Sequence, residues 1–260
     1  MLGQACRALM LKRAIKKILA DAGFVLFNLR RHHVQDGLAT LHSDRFRQDP
    51  RFRAAYARGV AASGGIDSRF EWRMHVALWA AANGLHADGD FAECGVNAGF
   101  ISSAIMHYLD WNSTGRKFFL VDTFAGPVLS QYSGAEIAAG RAEIAKKYLA
   151  AGAYVTDVGR VRANFAEWPN AVVVQGAVPD VLATLPIRRL AFLHLDLNCA
   201  APEAAALDFF WNSLSPGGIV LLDDYAYLGH HHQAEAIDAV LAGKGASVLS
   251  LPTGQGLIVK

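Results

Sequence analysis

Two groups of polar side chains stand at the ends of apolar runs, where a folded chain delivers its chemistry. The first comprises Glu93, Gly95, Asn97 and Gly99 in Phe91-Ala92-Glu93-Cys94-Gly95-Val96-Asn97-Ala98-Gly99, with Asp122 closing the next apolar run. Glycines after a strand let backbone approach a ligand closely, and an acid at the neighbouring strand end can accept both hydroxyl hydrogens of a ribose. Dinucleotides and S-adenosylmethionine both suit such a pocket. The dinucleotide fingerprint needs G-x-G-x-x-G, whereas this loop reads Glu-x-Gly-x-Asn-x-Gly. A carboxylate at Glu93 repels a pyrophosphate and attracts an ammonium or sulfonium, so the methyl donor is expected. Phe100, Thr123, Phe124, Gln175 and Gly176 complete the expected donor pocket. A plainer alternative stays open, in which the glycines shape a turn and Asp122 caps the next segment.

The second group is Asp196, within His194-Leu195-Asp196-Leu197-Asn198, together with Asp223 and Asp224 ahead of Tyr225. Three carboxylates meeting at one sheet edge repel one another unless a cation neutralises them. Oxygen ligands with no cysteine nearby indicate a hard ion, Mg²⁺ first, held by Asp196, Asp223 and Asp224. The alternative is that Asp223 and Asp224 cap a loop. Asp196 can serve as ligand and base, and a histidine of His230-His231-His232, assigned to His231, is the rival base or acceptor contact. His194, inside an apolar strand, reads as a buried structural histidine.

Both groups require elements that bring their strand ends together. Strands are expected at Asp90 to Cys94, Lys117 to Val121, Ala171 to Gln175, Leu190 to Leu195 and Gly218 to Leu222. Helices are expected to start near Ala98, Gly134, Pro179 and Pro202, with another from His232 to Leu241. Continuous apolar strands alternating with helices predict a parallel sheet covered on both faces. Ala246 to Leu251 and Gly256 to Val259, joined by Pro-Thr-Gly-Gln, predict a closing antiparallel hairpin. The long connection Leu129 to Gly152, with Tyr132, Glu136 and Lys146, reads as a lid over an acceptor.

Upstream, Leu9, Leu11, Ile15, Ile18 and Leu19 recur at near-helical spacing with Lys12, Arg13, Lys16 and Lys17 between them, a basic amphipathic helix over residues 5–21. A second helix is expected from Pro50 to Ala62, and a third, capped by Asp67 and Ser68, through Asn83. The formal charge of +2 over 260 residues hides a split: residues 1–58 carry 12 Lys/Arg against 4 Asp/Glu. A basic helical extension over 1–65 therefore precedes an acidic body over 66–260. The extension is expected to cap the site, build a homo-oligomer or touch a membrane surface peripherally; nucleic acid is disfavoured because no aromatics interleave its arginines. The apolar run Ala22 to Leu29 is far short of the roughly 20 residues that span a bilayer. Cys6, Cys94 and Cys199 form no C-x-x-C pair, which suits a reducing cytoplasm and neither a zinc cage nor a disulfide framework.

The stretches DFAECGVNAGFIS (from Asp90), FLVDTFAGP (from Phe119), LHLDLNCAAPEAAAL (from Leu193) and LSPGGIVLLDDY (from Leu214) resemble the macrocin O-methyltransferase (TylF/MycF/NovP-type) family of class I S-adenosylmethionine-dependent methyltransferases. The resemblance covers about residues 66 to 260. It implies a Rossmann-like α/β fold with a seven-stranded, mostly parallel sheet, S-adenosylmethionine and Mg²⁺ as cofactors, and a sugar hydroxyl of a glycoconjugate or secondary metabolite as the small-molecule acceptor. A catecholic phenol and, further off, a dinucleotide-dependent oxidoreductase are the alternatives. The family pattern HLDxDLYEPT reads here HLDLNCAAPE, so its second Asp is Asn198 and its Tyr-Glu pair is Ala200-Ala201.

Overall fold

The computed structural model describes residues 2–26 and 33–260, with side chains from residue 10 onward. The side chains of Cys6 and Leu9 and the end of the run at 27–29 lie outside the described residues. The chain divides into two compact units, 1–44 and 45–260. In the first, helix α1 (Leu2–Asp21) leaves Met10, Leu11, Ile15 and Ile18 exposed. Strands β1 (His33–Gln35) and β2 (Leu38–Thr40) pair antiparallel around Asp36-Gly37, whose φ values of 50° and 72° are those of a tight hairpin turn.

The second unit begins at Arg45. Helix α2 (Pro50–Ala62) buries Phe52 and Ala55 in the main core, and its Asp49 cap accepts from Arg51 N. That apolar face makes α2 part of the body. Helix α3 (Glu71–Gly84) starts later than expected, because Asp67 accepts from Arg69 N and from the Tyr56 hydroxyl instead of capping the helix.

The sheet then follows in chain order: β3 (Asp90–Cys94), α4 (Phe100–Tyr108), β4 (Phe118–Asp122), α5 (Gly134–Ala138), α6 (Arg141–Ala150), α7 (Val158–Asn164), β5 (Ala171–Gln175), β6 (Leu190–Leu195), α8 (Ala200–Phe210), β7 (Leu214–Leu222), α9 (His231–Leu241), β8 (Leu249–Ser250) and β9 (Gly256–Val259). The seven strands are ordered β5-β4-β3-β6-β7-β9-β8, parallel through β7 and antiparallel at β9 and β8. The fold is thus the Rossmann-like sheet with a terminal antiparallel hairpin that the sequence led one to expect. The helix expected near Pro179 is a single 3₁₀ turn at Leu182–Thr184. Strand order reverses direction between β3 and β6, and such a switch point opens a crevice at the carboxyl ends of the strands. Two apolar layers, one on each face, hold the sheet rigid beneath it. Among the described residues, no helix is long and apolar enough to cross a membrane.

Candidate active site

The crevice is shaped by a glycine that nothing larger can replace. Gly95 follows β3 at φ +94°, and a Cβ there would lie 1.9 Å from the Asp196 carbonyl oxygen at the end of β6. Only a bare Cα allows the two strand ends to approach so closely. Asn97 sits at φ 49°, a left-handed conformation that Asn tolerates better than most residues. Its side chain clamps the far end of the lid, donating from Nδ2 to Ala153 O at 3.0 Å and accepting from Val155 N at 2.8 Å. The Asp122 carboxylate accepts from Asn97 N and Phe124 N, each at 2.8 Å, which locks the ends of β3 and β4 into one rim. Gly95, Asn97, Asp122, Thr123, Gly176 and Asp196 all line the resulting pocket. Gln131 and Tyr132 of the long connection after β4, and Tyr154 just beyond it, also line the pocket, and Val128 and Val178 add apolar surface.

The other expected donor contacts stand elsewhere. Glu93 is buried beneath the rim, where His194 Nδ1 donates to its Oε1 at 2.8 Å. Gly99 is the N-cap of α4, and a Cβ on it would strike the Phe165 ring at 2.4 Å, so its role is packing. Phe100 joins the core beside Tyr56 and Phe70, and Phe124 is buried in the same cluster. Gln175 is exposed and donates to Thr123 O. None of these five forms part of the pocket wall.

β6 and β7 deliver the three aspartates as expected, but a cation of the chain itself meets two of them. Arg73, in the first turn of α3, donates from Nη1 to Asp223 Oδ2 at 2.5 Å and from Nη2 to Asp224 Oδ1 at 3.2 Å. Its guanidinium lies over the Tyr227 ring at 4.3 Å. Gln255 Nε2 donates to the other Asp223 oxygen at 2.9 Å, and His194 Nε2 lies 3.7 Å from that same atom. His230 Nδ1 stands 3.1 Å from Asp224 Oδ2. Every oxygen of the two carboxylates therefore faces a donor. Mg²⁺ demands oxygens at about 2.0–2.1 Å, and the atoms it would take from Asp223 and Asp224 are already committed. The expected ion does not fit this donor set, and among the described residues no three His, Cys, Asp or Glu side chains are arranged to hold a metal.

Asp196 keeps its place on the pocket wall, with Oδ1 accepting from Asn198 Nδ2 at 2.9 Å. Burial, then the charges of Asp223 and Asp224, hold its carboxyl well above the usual carboxylate range. Burial acts the same way on Asp223, but Arg73 and His194 outweigh it and keep that group ionised below the usual range. For His194, burial opposes the imidazolium, yet the nearby carboxylates of Asp223 and Glu93 prevail and push it up to about 10. Glu203, which accepts from Leu197 N and Asn198 N and so shapes the loop after Asp196, is pushed to about 8 by burial and then by Asp224.

His231 is exposed and packs its ring on that of His232, so the histidine the structure brings to the cluster is its neighbour. His230 is buried and lies 2.6 Å from Arg141 Nη2 through Nε2. Arginine can only donate, so Nε2 accepts and Nδ1–H is left to donate to Asp224. Arg141 belongs to α6 of the long connection after β4, and Glu136 ties the same segment to the start of α8 by accepting from Ala200 N at 3.0 Å. His230 was flagged with its two neighbours by the histidine run, whereas Arg73, Arg141 and Gln255 carried no signal in sequence spacing. Their partners are far away in the chain, 150 residues in the case of Arg73 and Asp223.

The profile of the Macrocin-O-methyltransferase (TylF) family matches residues 30–240. A curated relative, the 8-demethyl-8-(2,3-dimethoxy-alpha-L-rhamnosyl)-tetracenomycin-C 4'-O-methyltransferase of Streptomyces olivaceus, is 30% identical over 146 residues, covering 53% of this chain. The match likewise spans about half of that relative's length, 53%. Two solved structures share the fold. The O-methyltransferase NovP is 20% identical with a TM-score of 0.60 over 72% of this chain and 79% of its own. CalS11, a calicheamicin methyltransferase, is 16% identical with a TM-score of 0.53 over 91% and 98%. The profile match spans most of the chain, including strands β3 to β7 and the loops that carry Gly95, Asp122, Asp196 and Asp223, and by that measure the chain belongs to the macrocin O-methyltransferase family.

Proposed function

We propose that this protein transfers a methyl group from S-adenosylmethionine to a sugar hydroxyl of a glycosylated natural product. The observation that carries the reading is that Asp122 and Asp196 face one pocket across the Gly95 turn, an acid for a ribose beside an acid for a reacting hydroxyl. The donor set suits the cofactor: Asp122 would hold the ribose hydroxyls, Gly95 and Asn97 would hold its amino-acid end, and Gly176 and Val178 would take the adenine. When bound, S-adenosylmethionine supplies a methyl carbon activated by sulfonium.

The residues of the chain do the rest. Asp196 takes the proton of the acceptor hydroxyl on Oδ2, while Asn198 holds Oδ1 and keeps the carboxylate from turning. Tyr132 of the lid and Tyr154 just past its end line the pocket and would exclude water from it, and the Asn97 clamp holds the chain that follows the lid on the donor loop. Positioning of this kind accounts for much of the acceleration in an in-line displacement. The acceptor class is supported by the sugar-directed activity named for the Streptomyces olivaceus relative.

The test combines titration calorimetry of S-adenosylhomocysteine with a radiolabelled methyl-transfer screen over deoxysugar glycosides, nucleotide sugars and catechols. Binding of the cofactor product and labelling of a glycoside are expected. Labelling of catechols alone would move the acceptor class, and binding of NAD in place of S-adenosylhomocysteine would refute the reading.

A further inference from the structure

We propose that Arg73 is the resident cation of this site and that methyl transfer by this chain runs without a divalent metal. The inference rests on the O-methyltransferase reading above, because it concerns how that same site balances its charge. Two buried aspartates side by side need a positive partner, and the fold supplies one from α3. The two terminal nitrogens of a guanidinium form a fixed fork, here divided between two carboxylates, and an arginine keeps its charge at any working pH.

An entering dication would have to take Asp223 Oδ2 and Asp224 Oδ1 from Arg73. The displaced guanidinium has little room to leave: its side chain is 11% exposed and its plane lies over Tyr227. It would remain beside the ion, like charge against like charge in a poorly solvated place. Nor are the outer carboxylate oxygens open, since Gln255 faces one and His230, braced by Arg141 of the lid, faces the other. A metal-bound acceptor would also need a coordination position opening on the pocket, yet neither Asp223 nor Asp224 lines it. Arg73 is accordingly a positioning residue. It fixes the two charged neighbours of Asp196, and Asp196 alone of the three aspartates lines the pocket.

Manganese uptake by the full chain, read by electron paramagnetic resonance, tests this, with S-adenosylhomocysteine titrated into the same samples. The wild type is expected to bind S-adenosylhomocysteine, to take up no stoichiometric Mn²⁺ in the millimolar range, and to keep its transfer rate within about twofold in EDTA. Arg73→Gln uncovers the carboxylates and is expected to gain one Mn²⁺ per chain, a gain that a merely structural role would not produce; Arg73→Lys keeps the charge and gains none. Stoichiometric Mn²⁺ on the wild type, or loss of transfer in EDTA, overturns the inference and leaves the methyltransferase reading standing. Absence of S-adenosylhomocysteine binding overturns that reading instead, and Mn²⁺ uptake by the wild type still decides the question of the metal. Should Arg73→Gln fail to fold, the wild-type measurements suffice.

Discussion

Gly95→Ala isolates the contact on which the whole pocket depends. The added methyl would stand 1.9 Å from the Asp196 carbonyl oxygen, where real Cβ contacts stay beyond 3.0 Å, so the ends of β3 and β6 must part by at least about 1 Å. Two costs combine. A left-handed φ of +94° costs an alanine about 1–2 kcal/mol, and forcing a methyl into packed structure costs a further ~1–3 kcal/mol. The bond from Asp196 N to Cys94 O, 2.9 Å long, lies directly in the path of the separation. Gly115→Ala is the control, with φ +68° and no atom within 4 Å, so it carries only the conformational cost. In urea unfolding, Gly95→Ala is expected to fall below Gly115→Ala by the steric difference of about 1–3 kcal/mol. Calorimetry should show weakened S-adenosylhomocysteine binding for Gly95→Ala alone. Equal stability and equal binding for the two variants would refute the close approach and the pocket built on it.

Asp122→Asn keeps one acceptor for the loop amides but removes the charge; donor binding is expected to weaken by about 1–3 kcal/mol, measured by titration with S-adenosylhomocysteine. Glu203 holds its proton up to about pH 8 in the fold against 4.5 ordinarily, so the folded state binds more protons than the unfolded one across that window and the wild type loses stability as pH climbs through it. Glu203→Gln keeps an acceptor for Leu197 N and Asn198 N, so its melting temperature relative to the wild type should rise between pH 5 and pH 8, and a constant difference would show the carboxyl to be unperturbed. His230→Ala removes the partner of both Asp224 and Arg141 and is expected to lose about 1–3 kcal/mol of stability together with turnover. His231→Ala, on the exposed side, should change neither, and steady-state kinetics on the pair would reveal a reversed assignment.

Much of the frame was legible because it follows from local rules. Strands at Asp90–Cys94, Ala171–Gln175 and Leu190–Leu195 were set by continuous apolar runs bounded by turn residues, and α2 starts at the proline that the sequence placed at its first helical position. The glycine turn, Asp122 and the aspartates at the ends of β6 and β7 followed from the same periodicity, since a parallel strand delivers its last residues to one edge. Less legible were starts set by competition, such as α3, where Asp67 bonds Tyr56 instead of capping the helix.

What the amino-acid order determined by itself is thus the sheet, its carboxyl edge and the residue types gathered there. Tertiary structure alone decided which charge answers which. Arg73 and Asp223 come within 2.5 Å because α3 lies on the sheet beside β7, and no spacing in the chain encodes that approach. The same holds for His230 against His231: adjacent residues at the start of α9 point to opposite environments, and the one facing Asp224 is chosen by how the helix docks. Local order dictates which side chains reach an edge, while the long-range packing of separate elements sets distances and dielectric, and electrostatics depends on those two quantities.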